Sequence, residues 1–431
     1  MLETQEQPLQ AIDFSTIAES SAPGIYHAYP YIISTPQSSS KSLIWKSVIV
    51  PALELWAISR IVYVAITLVY LRFIRPESIT LQSMAATWNK WDANWYLTAS
   101  KGYPVTNSLA FFPLYPALIA GLTHFLGASN RVIASLIITN IAVFGIFIGL
   151  IALARLESQN KNSGRGAVLI ALAYPLAFYL TAPYSESLFI CFAVFAFYFA
   201  RARRWKTAAL FAFAAGFTHP TSIVLAPALF AEYASAQGWF RAELWRHGAW
   251  KYFRPSVSQI KTAALVTGAV PAALALYNTY IWRKTGSFFE YSAIQHNNWG
   301  HRMLNPLDIV FTQIQRIFNF SLDLHWHTLV LWNNVTIYLI LLLTILMIRR
   351  MPMSYSVFMF SLIILLFLTP IPGRPDLYSS TVRLFVASFP LYIWLGLKIK
   401  DRIMRPALLL IPVFALQAFL LIEFFLRVWV E

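Results

Sequence analysis

The sequence predicts an all-α protein that crosses a membrane many times, and two observations carry this prediction. Apolar residues make up 58% of the 431 residues and charged residues only 12%, far from the mix of a soluble domain. Apolar runs recur along the whole chain, and about 20 such residues suffice to cross a bilayer as a helix. We therefore expect a polytopic helical bundle of about 10–12 membrane segments.

The apolar runs also give the order of the expected segments. Residues 1–42 are polar and lack an apolar stretch, so they are predicted to form a disordered cytosolic tail. Residues 43–431 are predicted to form a single transmembrane domain, with segments at about 48–74, 132–154, 166–182, 185–200, 206–217 with 219–235, 260–282, 328–348, 354–370, 381–397 and 406–427. The stretch 110–127 is short and broken by proline, so we expect that it does not cross. His219-Pro220 predicts a break between two short arms.

The net charge of +15 is an orientation signal and not a sign of nucleic-acid binding. The basic residues lie in short loops between apolar runs, which is the pattern of loops that face the cytosol. The opposite face then receives a large first non-cytosolic loop at 75–131 and a second at 285–327. The single cysteine, Cys191, lies inside an apolar run, so an intramolecular disulfide is impossible.

The first of these outer loops contains the strongest candidate for chemistry, Asp92. If the segment is helical, its neighbours at three and four residues are three aromatic residues and one amide: Trp88, Asn89, Trp95 and Tyr96. Because Trp and Tyr also anchor helices at membrane interfaces, an aromatic-belt helix with a water-facing acid is the alternative. The motifs GYP at 102–104 and FFPLYP at 111–116 follow in an order that a belt does not require.

This order of motifs resembles the PIG-V-like mannosyltransferases, which are GT-C membrane glycosyltransferases. The resemblance begins with WDANWYLTASKGYP…LAFFPLYPALI at 91–119 and continues through 173–189, 205–223, 285–302 and 379–393. The chain departs from the family pattern at two places. His219-Pro220 stands where the family often has Arg-Pro, and Arg383-Leu384 stands where it often has Arg-Tyr.

The resemblance implies a GT-C-like bundle and a mannosyltransferase activity. It implies a polyprenyl-phosphate mannose donor, a glycolipid or envelope glycan acceptor, and transfer with inversion. Asp92 matches the family's acid at the acceptor hydroxyl, where a carboxylate can act as general base. The leaving lipid phosphate needs cations opposite it, for which the candidates are His296, His301, Arg302 and Arg383.

The predicted substrate-binding residues combine this role with the aromatic and polar side chains of the outer loops. They are Trp91, Trp95, Tyr96, Glu186, His219, Gln295, His296, Trp299, Arg302 and Arg383. Glu186 also has a structural interpretation, since acids are favourable at a helix N-terminus. A polar group at a helix break is the corresponding alternative for His219.

No metal or other cofactor is expected, since the sequence has no His/Cys cluster and no D-x-D motif in a predicted loop. It also has no Gly-rich phosphate loop, which argues against a cytosolic nucleotide-sugar donor. The expected partners are the lipid-linked sugar, the acceptor and membrane lipid, and not nucleic acid; the sequence does not indicate which proteins, if any, bind to this one. The expected location is a prokaryotic plasma membrane, or the endoplasmic reticulum in a eukaryote.

Three other functions stay open from the sequence. One is a GT-C transferase of another sugar. The second is a transporter or flippase of a lipid-linked sugar, which would more often show inverted repeats and mid-membrane charges. The third is a membrane O-acyltransferase that uses His219, a chemistry that would not need the Trp-Asp loop.

Overall fold

The computed structural model describes residues 45–158, 163–240, 254–318, 323–378, 380–399 and 410–430. These residues form 17 α-helices and no strand, which confirms the all-α class. In chain order the helices are α1 (Val50–Val69), α2 (Leu81–Trp88), α3 (Ala93–Ala99), α4 (Leu114–Leu126), α5 (Arg131–Glu157), α6 (Ser163–Leu172), α7 (Glu186–Arg201), α8 (Trp205–Gly216), α9 (Leu225–Ala236), α10 (Val257–Thr285), α11 (Glu290–Asn297), α12 (Pro306–Ile317), α13 (Leu324–Met347), α14 (Met353–Phe367), α15 (Thr381–Leu384), α16 (Phe389–Gly396) and α17 (Ile411–Phe425). The tail predicted at 1–42 lies outside the described residues.

Within the described ranges, four helical stretches are long and apolar enough to cross a bilayer. They contain α1, α5, α10 and α13 and run over Ser47–Ile74, Ala128–Glu157, Val257–Thr285 and Leu324–Met347. The polytopic membrane class is therefore confirmed. The other helices are shorter than the roughly 20 residues of a straight crossing, so the number of membrane segments stays a prediction.

Proline decides where several helices end. The segment predicted at 166–182 is wrong as one helix, because α6 ends at Leu172 and Pro175 lacks the N–H that would continue it. The segment predicted at 381–397 is likewise divided into α15, a 3₁₀ turn and α16. The break at His219-Pro220 is confirmed, since α8 ends at Gly216 and a 3₁₀ helix, Pro220–Val224, follows.

The core is built around α7, which packs against α5 and α8. Glycines allow close approach between these helices. A Cβ atom added at Gly149 of α5 would lie 2.4 Å from Val194 Cγ1 of α7, and one added at Gly216 of α8 would lie 2.6 Å from Ala273 Cβ of α10. Small residues at such contacts let helix backbones pack directly in a membrane.

The two ends of α5 belong to different polar clusters. At its start, Arg131 donates a hydrogen bond to Ser100 Oγ of the first predicted outer loop at 3.0 Å. At its end, Glu157 lies 2.7 Å from Arg201, which also pairs with Glu232 at 3.0 Å. A helix of 27 residues is about 40 Å long, so the outer loop and this buried ion cluster lie at opposite ends of the bundle.

The loop charges predict which end faces the cytosol, and single cysteines test it. In intact cells Met303→Cys, at a position 78% exposed, should react with a membrane-impermeant maleimide. Arg254→Cys, at an exposed position of the predicted cytosolic face, should react only after permeabilisation, because basic loops stay on the cytosolic side. The unmodified chain, with Cys191 alone, is the control. The reverse labelling pattern would contradict the assignment.

Candidate active site

A sharp turn between α2 and α3 positions Asp92. The helix α2 begins with a capping box between Thr80 and Ser83, ends at Trp88, and is followed by Trp91 at φ 49°. Non-glycine residues rarely adopt this left-handed conformation, and an edge-to-face contact with Trp429 at 5.1 Å holds the Trp91 ring. The prediction that one helical face carries both Trp88 and Tyr96 is therefore wrong.

The Asp92 carboxylate faces away from its own helix. Asp92 occupies the N-cap position of α3, where an aspartate normally accepts a backbone hydrogen bond from the first turn. Here it makes no capping bond, and its Oδ2 accepts a hydrogen bond from the Arg383 guanidinium at 2.9 Å. Among the described residues, Oδ1 accepts no hydrogen bond, and the side chain is 28% exposed. One carboxylate oxygen thus remains accessible to a ligand.

Arg383 joins Asp92 to a second acid. Its Nε lies 3.1 Å from Glu186 Oε1, and the Glu186 side chain is only 3% exposed. The guanidinium also lies over the rings of Tyr184 and Tyr179, at 5.2 and 5.6 Å. A buried charge is tolerated only when it is paired, so Glu186 depends on Arg383. The helix N-terminal position of Glu186 is confirmed, since it is the first residue of α7.

Three aromatic rings form a wall beside this ion cluster. Trp95 stacks on Phe111 with ring centroids 6.0 Å apart, and Trp299 meets both of them edge to face at 5.7 and 5.8 Å. Nearby, Tyr96 shares a 2.6 Å hydrogen bond with Ser185, the residue before Glu186. The structure thus brings together aromatic residues from both predicted outer loops.

The other predicted site residues in 295–302 are more exposed and make fewer side-chain contacts than the aromatic wall. Gln295 donates to the Tyr291 hydroxyl at 3.3 Å, while the side chain of His296 is exposed. Arg302 is also exposed, and its backbone N–H donates to the Pro370 carbonyl at 3.1 Å. Within the described part of the chain, the Arg302 guanidinium has no ion pair. It is therefore accessible to an anionic ligand from solvent.

The surroundings of His301 disfavour its charged form. Its Nδ1 lies 2.8 Å from the Thr369 carbonyl, and burial, together with the charges of Arg374 and Arg383, lowers its pKa. The backbone hydrogen bond and Asp92 act in the opposite direction but are outweighed. A lowered pKa favours the neutral form of His301, which weighs against its expected role as a cation.

His219 has a structural partner on each side. Its Nδ1 accepts the Thr221 backbone N–H at 3.2 Å and so caps the 3₁₀ helix after the break. Its ring stacks on Phe189 at 5.6 Å. Phe189 lies one turn along α7 from Glu186 and on the same face, so His219 lies one helical turn deeper than the ion cluster.

Two cations were missed by the sequence reasoning. Lys90 precedes Trp91-Asp92 and is 6% exposed; burial, with the charges of Arg427 and Arg75, lowers its pKa to about 8. Arg60 lies inside the apolar helix α1 and donates to three neutral oxygens, on Asn140 at 2.9 Å, Thr181 at 2.7 Å and Ser59 at 3.2 Å. An ionisable residue within a membrane segment is a functional candidate by default, and that signal was present in the sequence.

A divalent metal would need a cluster of ligands. In the described ranges, no group of three or more His, Cys, Asp or Glu side chains converges on one point. Asp92 and Glu186 are the two acids nearest each other at the site, and both are bound by Arg383. The expectation that the enzyme needs no metal stays a prediction.

Removing Arg383 tests the ion cluster. Arg383→Ala should lower the free energy of unfolding by roughly 3–5 kcal/mol, because it leaves the Glu186 charge buried without a partner. Adding Glu186→Gln should restore part of the loss. Thermal unfolding in detergent measures both, with Arg302→Ala as the exposed-arginine control. An Arg383→Ala protein as stable as the unmodified chain would show that the pair is not needed.

One known protein family matches most of this chain, although the match ends before Arg383. The family model described as Mannosyltransferase (PIG-V) matches residues 75–369, more than half of the chain and both predicted outer loops. No curated protein and no solved structure matches the chain. The matched range begins in the loop that carries Asp92 and ends just after α14, so it includes the aromatic wall and Glu186. The chain therefore belongs to the PIG-V mannosyltransferase family and is a membrane mannosyltransferase.

Proposed function

We propose that the enzyme moves mannose from a polyprenyl-phosphate donor to a hydroxyl of a glycolipid or envelope glycan, with inversion at C1. We place the reaction on the non-cytosolic face of a plasma membrane, or of the endoplasmic reticulum in a eukaryote. The observation that carries the proposal is the Asp92 carboxylate, which is held through Oδ2 by Arg383 and offers Oδ1 beside an aromatic wall.

Asp92 is proposed to act as general base. As the acceptor oxygen attacks the sugar C1, Oδ1 takes the hydroxyl proton and the bond between C1 and the phosphate oxygen breaks. The polyprenyl phosphate leaves as an anion. A single in-line displacement on a β-linked donor gives an α-linked product. Trp95 and Trp299, 5.7 Å apart, offer flat apolar faces for the sugar rings.

The roles of the two arginines differ in this proposal. Arg383 already contacts two carboxylates, so we assign it to orient Asp92 and not, as the sequence suggested, to bind the phosphate directly. Arg302 is exposed and has a guanidinium without an ion pair among the described residues. It is therefore the proposed partner of the leaving phosphate, whose developing charge a cation stabilises.

We also propose that transfer needs no divalent metal, since Arg383 already neutralises one of the two acidic charges. Full activity in excess EDTA would support this. A loss that Mg²⁺ or Mn²⁺ restores would contradict it, and would place a metal among the substrate phosphates.

Replacing Asp92 gives the sharpest test. Asp92→Asn retains the size of the side chain but cannot accept the proton, so transfer should fall by roughly 10²–10⁴-fold. Synthetic polyprenyl-phosphate mannose and extracted lipids serve as substrates, with the product identified by mass spectrometry. Asp308→Asn, at an exposed acid of α12, is the matched control and should leave transfer unchanged.

The same assay separates the rival functions. Transfer by Asp92→Asn within threefold of the unmodified enzyme would exclude the general-base role and favour a belt helix. Transfer from polyprenyl-phosphate glucose but not mannose would show another sugar specificity. The absence of transfer from any lipid-linked sugar, by a folded protein that binds the donor, would favour a transporter.

Arg302→Ala tests the phosphate contact. Loss of a charged hydrogen bond is worth roughly 1.5–3 kcal/mol, so donor use, measured as kcat/KM, should fall by at least tenfold. The KM for the acceptor should stay unchanged, because the proposed contact involves only the donor. Unchanged donor kinetics in a normally inserted protein would remove Arg302 from the site.

A further inference from the structure

A cationic cavity lies at the end of the bundle opposite Asp92. It has a volume of about 550 Å³, and the described residues of its lining include four basic ones, Arg203, Arg204, Lys206 and Lys261, and no acid. The cavity adjoins the loop between α7 and α8. That loop follows Arg201, whose buried ion cluster with Glu157 and Glu232 marks this end of α5. The cavity is thus about 40 Å from the predicted outer loop, the length of a 27-residue helix.

Two helix N-termini add to the positive potential of the cavity. Trp205, Lys206 and Thr207, the first turn of α8, line it together with Ser258 and Lys261 of the first turns of α10. The N-cap residue of α8, Arg204, makes no side-chain capping bond. In α8 the N–H groups of the first turn have no partner within their own helix, whereas the N-terminus of α10 carries a capping box between Ser256 and Gln259. The helix dipole favours an anion at both N-termini.

An apolar groove continues from this cavity along the membrane-facing side of α8 and α10. It has a volume of about 700 Å³ and shares Lys206 and Leu265 with the cationic cavity. The rest of its lining is apolar or small and recurs at helical spacing: Ala209, Leu210, Phe213, Ala264, Gly268, Ala269 and Ala272. From Ala264 to Ala272 the groove follows α10 for about 12 Å, most of the roughly 15 Å of hydrocarbon in one leaflet.

The groove is open to lipid and not filled by side chains. Leu210 and Leu265 on its rim are 66% and 45% exposed. A Cβ atom added at Gly268 would have no protein atom within 4 Å. An apolar channel of this length that starts at a cluster of cations has the two features of a bound phospholipid, a charged head and an extended chain.

We propose that these two cavities form one site for an anionic phospholipid, with its phosphate between the N-termini of α8 and α10 and an acyl chain in the groove. Basic pockets between membrane helices on the cytosolic side suit anionic head groups. A zwitterionic head group fits less well, because its ammonium would meet four cations and, among the described lining residues, no acid. The site joins two helices of the core at an end of the bundle that the sugar chemistry does not use.

The simpler explanation is that these cations only keep their loop on the cytosolic side of the membrane. The two explanations differ in what happens when charge is removed at defined positions. If the cations act as an orientation signal alone, replacing any two of them should have the same effect on lipid affinity. If they form a binding site, only those that line the cavity matter for lipid affinity.

The test measures the binding of phosphatidylglycerol to the purified full chain, from the rise in Tm as lipid is added to detergent micelles. Lys206→Gln with Lys261→Gln should weaken apparent affinity about fivefold for each cation, on the order of 25-fold in total. The control, Arg349→Gln with Lys398→Gln, removes two exposed cations of the predicted cytosolic face that lie outside the cavity. It should bind phosphatidylglycerol as the unmodified chain does.

A second pair of variants tests the acyl-chain groove without changing charge. Gly268→Phe places a ring in the groove and should also weaken phosphatidylglycerol binding. Gly121→Phe, at a helical glycine that likewise has open space around its Cβ, is the matched control. Because the new Cβ atom contacts no protein atom at either position, both variants should fold. If the lysine variant fails to fold, this pair of phenylalanine variants decides between the two explanations.

Several outcomes would overturn the proposal. Equal affinities of the cavity variants and their controls would show that the cations are only an orientation signal. An equal Tm rise with phosphatidylcholine would show that no anionic head group is selected. A full Tm rise with inorganic phosphate alone, or unchanged lipid binding by Gly268→Phe, would show an anion site without an acyl chain.

Discussion

The arrangement of the candidate active site depends on the guanidinium of Arg383. Arg383 lies between the carboxylates of Asp92 and Glu186 at 2.9 and 3.1 Å and contacts two tyrosine rings. It thereby joins the first outer loop, the start of α7 and the short helix α15. Without this cation, two acids would face each other in a poorly solvated space. That arrangement is unstable, because like charges repel and burial disfavours each of them.

The Arg383 pairing also determines what Asp92 is free to do. The carboxylate of an aspartate at a helix N-cap normally accepts a hydrogen bond from a backbone N–H of the first turn. Here the αR conformation of Asp92 and the left-handed Trp91 before it turn the carboxylate toward Arg383. The strained turn is stabilised by Trp429, which in turn lies 4.4 Å from the Arg374 guanidinium. The C-terminal end of the chain therefore supports the loop that carries the proposed base.

A second buried arginine holds the far end of the bundle. Arg201 pairs with Glu157 and Glu232, and so connects α5, α7 and α9 where their apolar stretches end. The two arginines thus lie at opposite ends of a core in which glycines allow close helix contacts. Since a packed core resists deformation, the predicted outer loops lie on a rigid support. The proposed lipid site lies beside Arg201, far from the sugar chemistry.

The sequence by itself determined the properties that depend on local pattern. Apolar runs gave the all-α membrane class, proline gave the break at His219-Pro220, and the ordered motifs around Asp92 gave the family. Only the tertiary structure decided which side chains contact each other. Asp92 and Arg383 are 291 residues apart, and no local pattern records such a pair. For the same reason the sequence could not show that the pKa of His301 is lowered or that Lys90 is buried, since burial and neighbouring charges arise only when distant segments pack together.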